Sequence, residues 1–466
     1  MLLPASRFPL QKPLRGAGLL PIDPYLALYQ QAVVLYSLRK TTPQATKAIR
    51  IRRDSDSVEQ DIGFLGKDLN QQAIGDFGGK NLLSYTEDLN NAFYFKSRSS
   101  ISQINNITVN GNKVFDFSEL TTDNDEHYLQ ATLNSLGNNL LYTVSVIAKS
   151  NTRNKVRLAI FMPGHGVATQ DFNLANGTII DTNDPQNIAS SIEPFGSDGF
   201  YRISLTTRTG TNTLVKPQIV ILNNNNQQTY VGNGKGIFIS SLQLEVNQSA
   251  TAYEPRLTGG ASDCTIVKWY DQIANNDSVQ NNIALQSKIY NVVSGEVTKE
   301  NGKPASILYG EGDNVPIVNV AGRSNIDAYF VNRHNTGNNL DNNTTRYIYP
   351  SIGANSGGIY GFAGQRNSTL TAITNNYGNP NLYQNNNLLT PSTRDDVYNA
   401  LGQVQNIINH QGADVSGWPS FNFGNFFNSQ FNFEGSLQEI VVFSDNLTTQ
   451  ERQILHDDIN RYYRIY

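Results

Sequence analysis

Leu141 to Ala148 reads Leu-Tyr-Thr-Val-Ser-Val-Ile-Ala. Such a short run of β-branched and aromatic residues predicts a β-strand. Val156 to Phe161, Tyr201 to Thr206 and Gly236 to Leu244 repeat the texture, and Asn, Gly, Asp and Ser clusters separate the runs. From residue 81 onward the chain therefore reads as all-β, and antiparallel strands this short and regular pack as sandwiches or jelly rolls. Helix is scarce. At the C-terminus, Thr448 followed by Glu451 forms a capping box, and Ile454, Leu455, Ile459 and Tyr462 line one helical face. A second helix is expected over Tyr25 to Leu38.

Around these strands lies an unusual composition. The chain has 466 residues, 58 of them Asn, with 35 basic and 39 acidic side chains and a net charge of -4. So small and dispersed a charge marks no general nucleic-acid binder. No apolar run is long enough for a membrane-spanning helix. The start lacks the layout of a secretory signal, so the expectation is a protein made in a cytoplasm. The single cysteine, Cys264, excludes an intramolecular disulfide framework and reads as a buried structural thiol. Asn suits turns and left-handed backbone positions, so the stretches 223–226, 335–343, 375–387 and 422–432 are expected as surface loops.

Residues 1–53 differ from the rest, with nine Lys or Arg, one acid (Asp23) and no Asn. Pro4, Pro9, Pro13, Pro21 and Pro24 punctuate an extended arm over residues 1–24, which either gains order by lying on another protein or stays a floppy terminus. Arg7, Lys12 and Arg15 are its candidate anchoring residues. Farther on, Ile49-Arg50-Ile51-Arg52 alternates as a strand, which predicts its arginines on one exposed sheet face instead of a nucleic-acid tether.

Two nested resemblances emerge. Asn81-Leu82-Leu83-Ser84-Tyr85-Thr86-Glu87-Asp88, the cluster Phe93-Tyr94-Phe95, Asp198-Gly199-Phe200-Tyr201-Arg202-Ile203-Ser204, Leu242-Gln243-Leu244-Glu245 and Ala250-Thr251-Ala252-Tyr253-Glu254-Pro255 occur in that order. Together they resemble the carbohydrate-binding-like β-sandwich of bacteriophage fibre and spike proteins, with Phe where that family usually has Trp. Around it, Tyr36-Ser37-Leu38-Arg39-Lys40, Ile49 to Arg53, Asp61 to Phe64, Val267-Lys268-Trp269-Tyr270-Asp271-Gln272, Asn301 to Ala305 and Gln438 to Phe443 are similar to a concanavalin A-like jelly roll. That jelly roll is related to the arabinofuranosidase B catalytic domain and is also found in phage virion proteins.

The resemblances imply a discontinuous jelly roll over 25–80 and 260–466 with a second sandwich inserted at 81–259, preceded by the arm at 1–24. They imply a virion protein, a head or tail fibre or capsid-decoration subunit, made in the host cytoplasm. Its arm would bind capsid or other virion proteins, and its sandwiches would present carbohydrate-binding surfaces for host attachment. The expected assembly is a homo-oligomer, a dimer or trimer, with host surface polysaccharide as the further partner and with neither nucleic acid nor membrane.

Hydrolysis would require two carboxylates flanking a sugar, one held protonated. No acid here matches the enzyme family's nucleophile or acid, and the vicinal cysteine pair associated with that pocket is absent, so the expectation is no enzyme; the alternative is a polysaccharide-degrading glycosidase of the virion. Asp271, beside Trp269 and Tyr270, reads as a structural hydrogen-bonding group. Sugar binding would use exposed aromatic faces in loops, for which Tyr377, Tyr383 and Trp418 are the candidates. Asp123, Asp125, Glu126 and His127 read as a solvated turn because they miss the calcium-loop spacing. Gly232, Gly234 and Gly236 near Lys235 miss the phosphate-loop pattern. No metal and no cofactor is expected.

Overall fold

The computed structural model describes residues 24–120, 124–180, 182–196, 198–211, 214–309, 315–318, 323–334, 346–347, 380–416, 421–423, 425–426 and 431–466. They form an all-β architecture of antiparallel sheets, with one short parallel pairing between Arg346–Tyr347 and the strand Phe431–Phe443. The segments predicted as strands are strands: Leu141–Ser150, Lys155–Met162, Phe200–Arg208 and Gly236–Val246.

Leu141–Ser150 lies between Phe200–Arg208 and Gly236–Val246 in one sheet, with Val144 opposite Leu205 and Val146 opposite Ile203. Its apolar face, Tyr142, Val144, Val146 and Ala148, packs into a core shared with Val156, Leu158 and Ile160 of a second sheet. The opposite face is buried as well, because the chain returns across it after the last strand: Thr143 Oγ1 donates to the Asn247 carbonyl at 2.8 Å and lies 2.8 Å from Thr206 Oγ1. The alternation thus separates an apolar interface from a hydroxyl-bonded one.

Among the described residues, every strand between Phe95 and Val246 pairs only with others in that interval. A separate, larger sheet is built from Ala32–Ser37, Lys47–Arg53, Glu59–Leu65 and Asp68–Leu69 together with strands after residue 263. Its spine is Phe431–Phe443, which pairs through its later residues with both Ala32–Ser37 and Ile326–His334 and through its earlier ones with Ser306–Tyr309. The helix Thr449–Tyr463 lies on this sheet, burying Leu455, Ile459 and Tyr463 against Leu35, Tyr329, Val331 and Val441. Its capping box is formed as expected: Thr448 Oγ1 accepts from the Glu451 N–H at 3.3 Å, and Glu451 Oε2 accepts from the Thr448 N–H at 2.9 Å.

Three expectations are corrected. The helix proposed over Tyr25 to Leu38 covers only Pro24–Tyr29, because Ala-Val-Val-Leu-Tyr-Ser at Ala32–Ser37 pairs with residues 439–443 as a strand. The arginines after Ile49 do not share an exposed face. A register shift between Arg50 and Ile51 breaks the alternation, leaving Arg50 half-exposed while Arg52 and Arg53 are buried. Their polar groups are met internally: Arg52 Nε donates to Gln286 Oε1 at 3.0 Å and its guanidinium pairs with Asp54 at 3.4 Å, and Arg53 pairs with Asp56 at 2.5 Å. Finally, the end of the Asn-rich stretch 375–387 is a hairpin between Asn381–Gln384 and Asn387–Leu389, turned by Asn385 and Asn386 at φ 50° and 66°. Within 422–432 the described residues are largely strand, whereas 223–226 is the expected turn; 335–343 lies outside the described residues.

Candidate functional site

Asn81 opens the first quoted motif and is fully buried. Its Nδ2 donates to the carbonyls of Leu242 (3.2 Å) and Glu254 (2.9 Å), and its Oδ1 accepts from the N–H groups of Leu83 and Leu244, both at 3.2 Å. Glu254 answers with Oε2 accepting the Lys80 and Asn81 N–H groups at 2.5 and 3.2 Å, while its Oε1 pairs with Arg256 at 2.6 Å. Motifs at residues 80–83 and 242–256 are therefore one clasp joining the ends of the segment between them. Asn81→Ala would strip four buried backbone groups of their partners and is expected to cost about 3 kcal/mol, read as a lowered urea midpoint of the full chain.

Beside this clasp the helix Gln71–Gly78, residues 251–254 and the turn after Lys288–Asn291 enclose a groove of about 740 Å³. Its rim is polar and exposed: Gln72, Asp76, Lys80, Glu296 and Lys299. Gln72 Nε2 donates to Asp76 Oδ1 at 2.6 Å, and Lys299 pairs with Glu296 at 3.4 Å. The wall is Tyr290, whose hydroxyl donates to the Gly79 carbonyl at 2.8 Å, and Tyr253, whose hydroxyl donates to Thr86 Oγ1 at 2.8 Å. Gly79 is required where it stands: its φ is +73° and a Cβ would collide with the Arg256 guanidinium. Amide, carboxylate and ammonium groups so arranged can donate to and accept from hydroxyls. The carboxyls that burial pushes above their usual range, Asp54, Asp271 and Asp327, do not line this groove.

Asp271 lines a second groove together with Asp277, but both carboxylates organise backbone. Asp271 Oδ1 accepts from Leu35 N–H (3.1 Å) and Ile273 N–H (3.0 Å), Oδ2 from Asn276 N–H (3.2 Å), and Asp277 Oδ1 from Asp271 N–H (3.1 Å). The structural reading of Asp271 is the one its surroundings support.

The other sequence candidates are placed as follows. Tyr383 sits half-buried on the strand Asn381–Gln384 with the Arg452 guanidinium 4.0 Å from its ring centroid, so one face is already covered. Tyr377, Trp418, Arg7, Lys12, Arg15 and Asp123 lie outside the described residues. Asp125 and Glu126 belong to a short ladder with Thr229–Val231, not a turn, and His127 is buried between the carbonyls of Arg98 (2.7 Å) and Tyr230 (3.1 Å). Among the described residues no three His, Cys, Asp or Glu are grouped to hold a metal. The segment with Gly232, Gly234 and Gly236 closes on Glu119, whose Oε1 accepts from Asn233 and Lys235 N–H groups at 3.2 Å each and from Arg153 at 2.8 Å. An internal carboxylate fills the place a phosphate would need. Cys264 is buried, and burial pushes its thiol up to about 12.

Sequence reading missed the groove residues Gln71, Gln72, Asp76, Lys80, Glu296 and Lys299. Only Lys80, immediately ahead of the Asn81 motif, carried a signal; the others come from segments joined by the fold.

No protein-family model and no curated protein matches this chain. Among solved structures it is similar to the enzymatically active domain of bacteriophage CBA120 tailspike protein 4, at 13% identity and TM-score 0.24, covering 36% of this chain and 21% of that one. TmCBM61, solved in complex with β-1,4-galactotriose, aligns at 10% identity and TM-score 0.24 over 36% of this chain and 100% of that one. The tandem CBM22-1-CBM22-2 domain of Paenibacillus barcinonensis Xyn10C aligns at 11% identity and TM-score 0.24 over 78% of this chain and 97% of that one. The chain thus spans about a fifth of the tailspike domain, and likenesses this distant carry no argument about function; the architecture rests on the sheets described above.

Proposed function

We propose that this chain is a glycan-binding structural protein of a phage virion, a fibre or decoration subunit, and that it binds without hydrolysing. The observation that carries the reading is the polar groove beside the Asn81–Glu254 clasp, rich in hydroxyl-matching groups. In this reading residues 81–259 are a sandwich inserted into a jelly roll formed by 25–80 and 260–466. Residues 1–24 anchor the subunit to capsid or other virion proteins, and a dimer or trimer multiplies individually weak sugar contacts into firm attachment. Tyr377, Tyr383 and Trp418 remain proposed sugar contacts.

The test combines a panel of neutral oligosaccharides with host surface polysaccharide, followed by calorimetry and by sugar size on gel filtration. Binding is expected, with the polysaccharide unshortened. Gln72→Ala together with Glu296→Ala, both exposed, should weaken it about tenfold with the melting temperature unchanged. Shortened polysaccharide would overturn the reading in favour of a glycosidase, and equal binding by the double variant would remove the groove from it.

A further inference from the structure

A further concavity, of about 310 Å³, opens between the helix Pro24–Tyr29, residues 39–43 and the helix Thr449–Tyr463. Its polar groups are unbalanced. Arg39, Lys40, Lys67 and Arg461 face it, against the single carboxylate Asp458. Arg39 is neutralised from behind, pairing with Glu439 and Asp458 at 2.7 Å each. Arg461 donates to the Tyr25 hydroxyl at 2.6 Å. Lys40 and Lys67 have no carboxylate partner among the described residues.

The backbone sets those two lysines side by side. The Lys40 N–H donates to the Lys67 carbonyl at 2.9 Å, and the neighbouring residues Arg39 and Asp68 form a β-bridge. Like charges directly opposed across a ladder oppose folding unless something relieves them. Elsewhere in the fold the basic side chains of adjacent strands are met by acids: Lys47 and Arg50 share Asp61, and Lys268 meets Asp277. Here the relief is left to solvent or to a ligand. The flank of the concavity is apolar and aromatic, with Tyr25, Leu26 and Pro43. A pocket of this size with an apolar wall and two convergent charges suits one small unit carrying its own opposite charge. The preceding arm does not supply it, since residues 1–23 carry Arg7, Lys12 and Arg15 against Asp23 and so share the pocket's sign.

We infer that this pocket holds an anionic sugar unit of a glycan, its carboxylate or phosphate between Lys40 and Lys67 and its ring against Tyr25, Leu26 and Pro43. The inference rests on the glycan-binding reading but uses a different site from the polar groove. It makes the protein selective for charged polysaccharide, through contacts that salt weakens.

The test uses the full chain and five probes in calorimetry: tri-galacturonate, its carboxyl-reduced neutral counterpart, glucose 6-phosphate, glucose and inorganic phosphate. Tri-galacturonate is expected to bind at least tenfold more tightly than the neutral trisaccharide, with the preference reduced by added salt. Lys40→Gln combined with Lys67→Gln should abolish the preference, whereas Gln72→Ala with Glu296→Ala should leave it intact. Should the sugar carry phosphate instead, glucose 6-phosphate will outbind glucose in the same lysine-dependent way, which also supports the inference. Equal binding of charged and neutral sugars, or a preference that survives loss of both lysines, overturns it while leaving the groove reading standing. Phosphate alone binding as tightly as either charged sugar overturns the sugar component and leaves a plain anion site. Lysine-dependent charged binding with no neutral sugar bound at the groove would instead overturn the groove and keep this site.

Discussion

Arg39→Leu is expected to lower stability by about 3–5 kcal/mol, the cost of leaving a buried carboxylate without its partner. Arg39 is 5% exposed and its guanidinium donates to both oxygens of Glu439, to Asp458 and to the Tyr29 hydroxyl. The Tyr29, Tyr462 and Tyr463 rings lie 5.4–5.7 Å from its Cζ. It therefore ties the first helix, the spine strand and the last helix at one point. Among the described residues Glu439 would keep only the Ser37 and Tyr463 hydroxyls, at 2.7 and 3.2 Å. Replacing the pair together, Arg39→Leu with Glu439→Leu, removes both charges and should recover more than half of the loss, because two desolvated ions are exchanged for apolar contacts. Arg39→Lys should not rescue, since an ammonium cannot reproduce the fork that spans Glu439. Urea unfolding of the three variants decides the matter: a double variant no more stable than Arg39→Leu would mean that the guanidinium acts through ring packing alone.

That cluster shows where sequence reading stops. Tyr36-Ser37-Leu38-Arg39-Lys40 and Gln438 to Phe443 were both legible as motifs, yet nothing in their order says that Arg39 and Glu439 meet across a separation of 400 residues. Strands were legible wherever a period of two coincided with burial on one side, as at Leu141–Ser150, and the last helix because its cap is encoded within four residues. The failures share a cause. Ala32–Ser37 is a strand only because residues 439–443 lie beside it, and Arg52 and Arg53 are buried because a bulge, the distant Gln286 amide and the nearby carboxylates Asp54 and Asp56 admit them. The polar groove draws on residues 71–80, 251–254 and 290–299, so its composition becomes visible only once the Asn81–Glu254 clasp has closed.

Acid should destabilise the protein steeply below about pH 6.5, because three imidazoles are buried in uncharged form. Burial holds His334 at about 4, with Arg333 adding to the effect, and His410 at about 3; it holds His456 at about 3, with Arg452 adding to the effect. An unfolded chain takes up a proton on each near pH 6.5, the ordinary histidine value, while the folded chain refuses it until much lower pH. Between those limits the unfolded state binds more protons, so stability falls as pH falls. Asp327 works in the opposite sense. Burial lifts its carboxyl to about 6, partly offset by hydrogen bonds from the Leu447 N–H and the Asn409 and Tyr329 side chains, so between about pH 6 and 4 the folded state keeps a proton that the unfolded state has released. For these four groups, three protons against one leave a net loss of about two, or about 3 kcal/mol per pH unit in that window. His456 isolates the effect, because neither ring nitrogen has a hydrogen-bond partner among the described residues and the ring packs edge-on against Tyr329 at 5.7 Å. His456→Leu is therefore expected to fold and to lower the slope of stability against pH by about 1.4 kcal/mol per unit, one proton's worth. Urea midpoints of parent and variant, measured from about pH 7.5 down to about pH 4.5, give the two slopes. Parallel curves would mean that His456 is charged in the folded protein, and the account of this core as a reservoir of withheld protons would fail with it.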